Sequence, residues 1–364
     1  MTSRRKFLTA SSIGFASVFG LGKVAKAGEV FGPQNKPFGP QPFSEPISVD
    51  NSSEVNKIFP HKLFPGARVA ITAPASPTSE YDIRHAVRFF KKMGCEVEIG
   101  QTIKNHKLKW RYFSASEEER AGEFMSYIKR DDIDCILCGR GGYGVMRILD
   151  KIDFDLIKEN PKIIIGFSDI TALLNSISKI TGLVSFHGPV ASSTFNNFTQ
   201  NSLRSIIFNN DKPFEISYKN AKTLNSGKTQ GRLVGGNLKM IISTIGTPFE
   251  VDTRGAILFL EDTGEHPYKI DRMLTQLKLA GKLDQCNGFV FGTFEKLNHR
   301  VPFYPNKSFT LGEVIDQVIK PLGKPVLIGM PFGHVKNKIT LPIGSLAMID
   351  TEKKLLRLLE NPII

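Results

Sequence analysis

Cysteine is scarce in this 364-residue chain, which has four: Cys95, Cys135, Cys138 and Cys286. That number is too small for the dense disulfide framework of a small secreted scaffold, and nothing in the sequence demands a pairing. Cys135 and Cys138 have zinc-like spacing but lie inside the apolar strand-like run "IDCILCGR". Residues i and i+3 of a strand face opposite sides, so joint ligation is excluded and buried free thiols are expected. No other set of ligands has metal-binding spacing, and neither a metal nor a cofactor is expected. A block of lysine and arginine is also missing. The formal net charge is +13, but Arg4, Arg5, Lys6, Lys23 and Lys26 stand in the first 27 residues with no acid among them. Without those five the net is +8. The remaining basic residues are scattered among acids without interleaved aromatics, which argues against a nucleic-acid partner and leaves a polyanionic surface compatible. No internal repeat is evident. No apolar run is long enough for a stable membrane span; the best, Leu8 to Leu21, is short and rich in Ser, Gly and Ala.

The composition, 41% hydrophobic and 23% charged, is that of a globular chain, and the length suggests two domains. The N-terminus reads "MTSRRKFLTASSIGFASVFGLGKVAKAGE". Paired arginines, a moderately apolar stretch and Ala25-Lys26-Ala27 resemble a twin-arginine export signal cleaved after Ala27, which implies a periplasmic or extracellular mature chain. Residues 28–62 are rich in Pro, Gly and Asn and read as an extended, partly disordered lead-in. From residue 63 to 191 short apolar strands alternate with helices: "ARVAITAPA", "CEVEIG", "IDCILCGR", "KIIIGFSD" and "LVSFHGPV" as strands, with helices between them that include "YGVMRILDKI". The helix in "SASEEERAGEFMSYIKR" starts with Ser114 or Ser116 near its N-cap. This alternation predicts an α/β domain with a parallel sheet covered on both faces, its site at the carboxyl ends of the strands. Residues 192–224 read as a linker with one or two edge strands. Residues 225–364 read as a smaller β-rich domain interrupted by two helices, Tyr268–Leu279 and Leu311–Ile319.

Two glycine-bearing turns carry candidate chemistry. In "KIIIGFSDITALL" a buried strand ends on Ser168 and passes straight into a helix, so the hydroxyl is presented at the sheet edge beside the Asp169 backbone N–H, a natural oxyanion donor. The hydrolase elbow pattern Gly-x-Ser-x-Gly is matched at Gly166 but not at the closing position, which is Ile170. An N-cap serine with Asp169 as first-turn charge is the alternative. "GRGGYG", Gly139 to Gly144, lacks the spacing of a phosphate cradle or dinucleotide fingerprint. Its use is close backbone approach to a carbonyl, with Arg140 free to grip a carboxylate and Tyr143 as a second substrate-binding residue. A serine nucleophile needs a base and an orienting carboxylate. His61, His85, His106 and His299 read as surface residues and His266 as a packing or capping group. His187, at a strand end, could line the site, and His334 lies between glycine-bearing turns. "GAILFLED" ends a strand in Glu261-Asp262, and charge alone does not choose among Glu261, Asp262 and Glu265.

Taken in order, "APASP", "RGGYGVMRILDKIDF", "IIGFSDITALL", "FHGPV", "GRLVGGNL", "LFLEDTGEHPYKIDRMLTQL", "VFGTF" and "GMPFGHVKNKITLPIG" closely resemble the LD-carboxypeptidase (muramoyltetrapeptide carboxypeptidase) family of serine peptidases, over roughly residues 65–345. The resemblance implies a triad of Ser168, Glu261 and His334, with Glu265 in reserve for the carboxylate. It also implies oxyanion donors at the N–H groups of Asp169 and Gly142, an α/β domain carrying the serine, a β-rich domain carrying the other two, and a homodimer. The implied reaction releases the terminal D-Ala of a murein tetrapeptide through an acyl-enzyme, without metal. The export signal departs from relatives that work in the cytoplasm. A microcin-immunity-type hydrolase cleaving a peptide–nucleotide amide, and a silent cell-wall binding protein, are the competing readings.

Overall fold

A computed structural model describes residues 56–208, 214–298 and 308–364. The expected signal (1–27) and most of the lead-in lie outside the described residues. Residues 56–62, read as the end of that lead-in, are paired: Ile58 bridges Leu183, and the Lys62 N–H donates to the Ile364 carbonyl.

Among the described residues fourteen strands form two sheets. In chain order the first five are Arg68–Thr72 (β1), Glu96–Ile99 (β2), Cys135–Cys138 (β3), Ile163–Gly166 (β4) and Ser185–His187 (β5). Then come Glu215–Ser217 (β6), Lys222–Asn225 (β7), Lys228–Asn237 (β8), Ile257–Thr263 (β9), Gly288–Glu295 (β10) and Val326–Gly333 (β11). Leu341–Ile343 (β12), Leu346–Asp350 (β13) and Leu355–Leu358 (β14) complete the set. The first sheet has the order β12-β5-β4-β3-β1-β2, with β1 to β5 parallel and β12 added antiparallel to β5. Its central strands are apolar throughout, "CILC" and "IIIG", because helices cover both faces. The second sheet, β6-β14-β13-β8-β9-β10-β11-β7, is mixed: β8 to β11 run parallel and the outer strands antiparallel.

Local chemistry sets the helix starts. Ser79 opens Glu80–Lys92 and Ser116 opens Glu117–Lys129, each in a reciprocal capping box with the acid three residues on, Asp82 and Glu119. Of the two serines considered for the second helix, Ser116 is the cap. Three segments differ from expectation. "YGVMRILDKI" forms two short 3₁₀ turns, Val145–Arg147 and Leu149–Lys151, and the Asp169 carboxylate takes the Val145 N–H that opens the first, at 2.8 Å. Within the supposed linker, Asn196 caps a helix over Asn197–Ile207 that buries Leu203, Ile206 and Ile207. Asn237 likewise caps Leu238–Thr244, a helix inside a stretch read as β. The helices expected near 268–279 and 311–319 are Pro267–Leu279 and Leu311–Val318.

The segment 334–340 leaves the end of β11 in the second sheet and enters β12 on the edge of the first. It therefore joins the carboxyl ends of the two parallel strand sets. All four cysteines are buried and free.

Candidate active site

Ser168 follows β4 with φ of 65°, in the left-handed region that non-glycine residues rarely occupy. Such strain in a strand-to-helix turn is the signature of a nucleophile elbow, even though Ile170 replaces the closing glycine. Ser168 itself opens a 3₁₀ turn, and no side chain caps the helix Thr171–Thr181 that follows. The N-cap reading of this serine does not match that geometry. Asp169 is 2% exposed and turned inward.

The "GRGGYG" loop lies directly on this turn. A Cβ at Gly141 would stand 2.8 Å from the Ser168 Cβ and 3.0 Å from its Oγ, so only glycine permits the approach. Ser76, from the "APASP" stretch, braces the loop: its Oγ accepts the Tyr143 N–H at 3.1 Å, and its N–H donates to the Gly141 carbonyl at 3.2 Å. The buried guanidinium of Arg120 donates from one nitrogen to the carbonyls of Pro74 and Gly144, at 2.6 and 2.8 Å. Among the described residues the N–H groups of Gly142 and Asp169 have no hydrogen-bond partner. Arg140 and Tyr143 are exposed at the loop, and Tyr143 stacks on Phe113 with ring centroids 5.6 Å apart.

The second sheet supplies the other half. His334 follows β11, and its Nδ1 meets Glu261 Oε2, at the end of β9, at 2.7 Å. A carboxylate accepts only, so Nδ1 carries the proton and Nε2 keeps its lone pair. Gly333 makes this contact possible: its φ is 102°, and a Cβ there would lie 2.6 Å from Glu261 Oε2. Glu261 is fully buried, and its other oxygen accepts from Asn237 Nδ2 at 3.3 Å. The His334 ring packs edge-on against Phe167, the residue before Ser168, at 4.9 Å. The carboxyl ends of β4, β8, β9 and β11 thus converge. Thr171 and Asn175, on the helix after Ser168, tie it to β8: Thr171 Oγ1 accepts the Asn237 N–H, and Asn175 exchanges hydrogen bonds with Gly235.

The remaining candidates are placed elsewhere. Asp262 accepts from Asn237 Nδ2, Lys239 N and Thr263 N, and burial raises it to about 6. Glu265 is buried but paired with Lys239 and Lys269, away from the imidazole. His187 is enclosed among Phe167, Phe259 and Phe332, and burial lowers it to about 4, so it stays neutral. His266 occupies the N-cap position of Pro267–Leu279 without capping it, and packs on Tyr268. A cavity of about 740 Å³ beyond the other edge of the sheet is lined by Glu98, Trp110, Glu123 and Tyr127, and contains none of these candidates. Among the described residues no cluster could hold a metal ion, and no helix is long and apolar enough to cross a membrane.

Residues 69–188 match the family model of the LD-carboxypeptidase N-terminal domain, and residues 230–349 match that of the LD-carboxypeptidase C-terminal domain. The chain belongs to the LD-carboxypeptidase family. A Bacillus subtilis (strain 168) protein named "Probable murein peptide carboxypeptidase" is 38% identical over 300 residues, 81% of this chain and 92% of that one. The Escherichia coli "Microcin C7 self-immunity protein MccF" is 30% identical over 326 residues, 80% of this chain and 91% of that one. The crystal structure of a muramoyltetrapeptide carboxypeptidase from Oxalobacter formigenes superposes with a TM-score of 0.70 at 31% identity, covering 80% of this chain and 98% of that chain. This LD-carboxypeptidase family member is a serine-type carboxypeptidase with the family's α/β and second-sheet architecture.

Sequence reasoning passed over three residues that brace this LD-carboxypeptidase site: Ser76, Arg120 and Asn237. "APASP" and "GRLVGGNL" carried the first and third only as parts of the resemblance. Arg120 stands among 48 basic residues with no local mark.

Asp169 yields a stability prediction. Burial raises its carboxyl to about 6, partly offset by the Val145 N–H and the nearby Arg120. Its folded-state contribution is complete below the ordinary value of 3.8 and is lost as pH rises through about 6. Holding the charge at neutral pH costs on the order of 1–3 kcal/mol. Asp169→Asn keeps an acceptor for Val145 and removes that charge. Its melting temperature relative to wild type should therefore rise by a few degrees between pH 5 and pH 7.5, measured by differential scanning calorimetry. A difference independent of pH would contradict this.

Proposed function

We propose that the chain releases the terminal D-alanine of murein tetrapeptides through an acyl-enzyme formed on Ser168. The observation that carries this reading is the 2.7 Å His334–Glu261 hydrogen bond, held at the strand ends beside the strained Ser168 turn. His334 Nε2 takes the Ser168 proton as Oγ attacks the carbonyl between the L-centre of the diamino acid and D-Ala. Glu261 holds the imidazole in the required tautomer and stabilises its cationic form. The N–H groups of Gly142 and Asp169 receive the oxyanion, each contributing about 3–4 kcal/mol to lowering the barrier. His334 then protonates the departing amine, and water, activated by the same imidazole, frees the tripeptide. Arg140 and Tyr143, exposed on the loop against Ser168, bind the acyl portion of the peptide. The names of the Bacillus and Oxalobacter relatives support the substrate class.

The mature protein, in this reading, acts outside the inner membrane as a homodimer. The twin-arginine pattern before Ala27 supports export, which fractionation of a tagged chain tests; sedimentation tests the dimer. Similarity to the microcin immunity protein favours one rival substrate, an aminoacyl-nucleotide. Purified mature protein should convert tetrapeptide to tripeptide and D-Ala, detected by mass spectrometry, equally with and without EDTA. Inhibition by EDTA would sink the metal-free mechanism. Cleavage of an aminoacyl-nucleotide with no D-Ala release would replace the murein substrate by the rival.

A further inference from the structure

Two lysines of the first sheet's surroundings are buried, and they differ in one respect. Lys162, 7% exposed, donates to the carbonyls of Arg130 and Ile133 at 2.8 and 2.9 Å. Lys338, 6% exposed, has no ion pair or hydrogen bond to its Nζ among the described residues. Its ammonium rests on the face of the Phe167 ring, 4.3 Å from the centroid. Glu261 is the carboxylate whose field it feels, yet both Glu261 oxygens are engaged, by His334 and Asn237. Burial lowers this ammonium to about 8, so it is largely charged at neutral pH. A cation–π contact leaves the three N–H donors of this largely enclosed side chain without a protein acceptor among the described residues.

The backbone around it is fixed. The Lys338 N–H donates to Thr199 Oγ1 at 3.2 Å, Asn196 Nδ2 grips Lys336 O and Asn337 Oδ1, and the Ile339 N–H donates to Pro331 O. The side chain thus starts from a fixed backbone, on the segment that also carries His334. Both side chains contact the same ring: His334 packs against Phe167 at 4.9 Å and Lys338 at 4.3 Å, with Ser168 next along the chain.

We propose that Lys338 is the recognition site for the free C-terminal carboxylate of the substrate, taking the α-carboxylate of the departing D-alanine. This rests on the functional reading above. In that reading His334 protonates the leaving amine, and one carbon separates that nitrogen from the carboxylate. The group that recognises the carboxylate must therefore stand on the imidazole side of the scissile bond, and Lys338 shares with His334 both the segment that follows β11 and the Phe167 ring. Arg140, exposed on the serine side and within electrostatic reach of Asp82, is left for the acyl portion. The arrangement accounts for attack confined to a chain end. A peptide with an amidated or extended C-terminus would bury the ammonium without a partner, and sites of that kind reject such analogues by large factors.

The test compares kcat/KM for a tetrapeptide ending in D-Ala with that for the same peptide ending in D-alaninamide, in wild type, Lys338→Met and Lys338→Arg. Wild type should prefer the acid by about 10³-fold or more. In Lys338→Met that ratio should fall by about 10²- to 10³-fold, the loss appearing chiefly as a raised KM for the acid. Lys338→Arg, which keeps the charge, should retain a ratio between the two. A wild-type ratio near one would overturn the assignment, as would a Lys338→Met ratio equal to that of wild type with both substrates slowed alike, the result expected of a purely structural lysine. If Lys338→Met does not fold, a Lys338→Arg ratio below that of an Arg140→Met control, which should keep the wild-type preference, supports the subsite, and one equal to it or above it overturns it. Wild type that turns over neither peptide overturns the functional reading itself, and the subsite with it.

Discussion

Ser168→Ala should lose tetrapeptide cleavage by about 10⁴- to 10⁶-fold while remaining folded. The size of the loss follows from covalent catalysis. Without Oγ the imidazole has no nucleophile to activate, and only the oxyanion donors and binding remain. The backbone offers an internal control. Ser168 stands at φ of 65°, and alanine suffers the same left-handed strain as serine. Ser168→Gly relieves it and should be more stable than Ser168→Ala by about 1 kcal/mol, though equally inactive. Release of D-Ala gives the first comparison and denaturant unfolding the second. Residual turnover within 100-fold of wild type in the alanine variant would remove Ser168 from the mechanism.

Glu261→Gln should lower kcat by about 10³- to 10⁴-fold with little change in KM. Glu261 is fully buried and accepts from His334 Nδ1 at 2.7 Å and from Asn237 Nδ2 at 3.3 Å. A glutamine can offer its NH₂ to Nδ1, which moves the imidazole proton to Nε2 and leaves no lone pair to accept from Ser168. It also removes the charge that stabilises the imidazolium. Glu265→Gln is the matched control. Glu265 is buried too, but its partners are Lys239 and Lys269, so kcat should change only a few-fold. Steady-state kinetics of the two variants separates these neighbours, and the reverse ranking would transfer the carboxylate role to Glu265.

The candidate site was legible where its chemistry is local. Three isoleucines running into Gly-Phe-Ser-Asp mark a buried strand and an abrupt turn, because no solvated loop has that composition. The glycines of "GRGGYG" mark a backbone that must come close to something. The second helix start was readable only to Ser114 or Ser116, since each has an acid three residues downstream, and the structure selects Ser116. Less legible were Asn197–Ile207 and Leu238–Thr244, short helices whose asparagine caps look like loop residues and whose apolar positions are too few to show a period. The two 3₁₀ turns after Gly144 were unreadable for another reason. The first of them begins at Val145, whose N–H is taken by the Asp169 carboxylate, a tertiary partner 24 residues away.

By itself the sequence determined the alternating strands and helices, the serine at the strand-to-helix turn and, through the ordered run of motifs, the family. These follow from neighbours a few residues apart, whose sterics and capping hydrogen bonds act whatever the rest of the chain does. Charge and spacing left three acids open and the resemblance pointed to Glu261; only the tertiary structure shows that Glu261, and not Asp262 or Glu265, meets His334, 73 positions away, and that Lys338 lies over Phe167 beside them. Three acids within five positions have nearly the same charge and propensity. What distinguishes them is the direction each takes from the end of β9, and that is fixed by the packing of strands far apart in the chain.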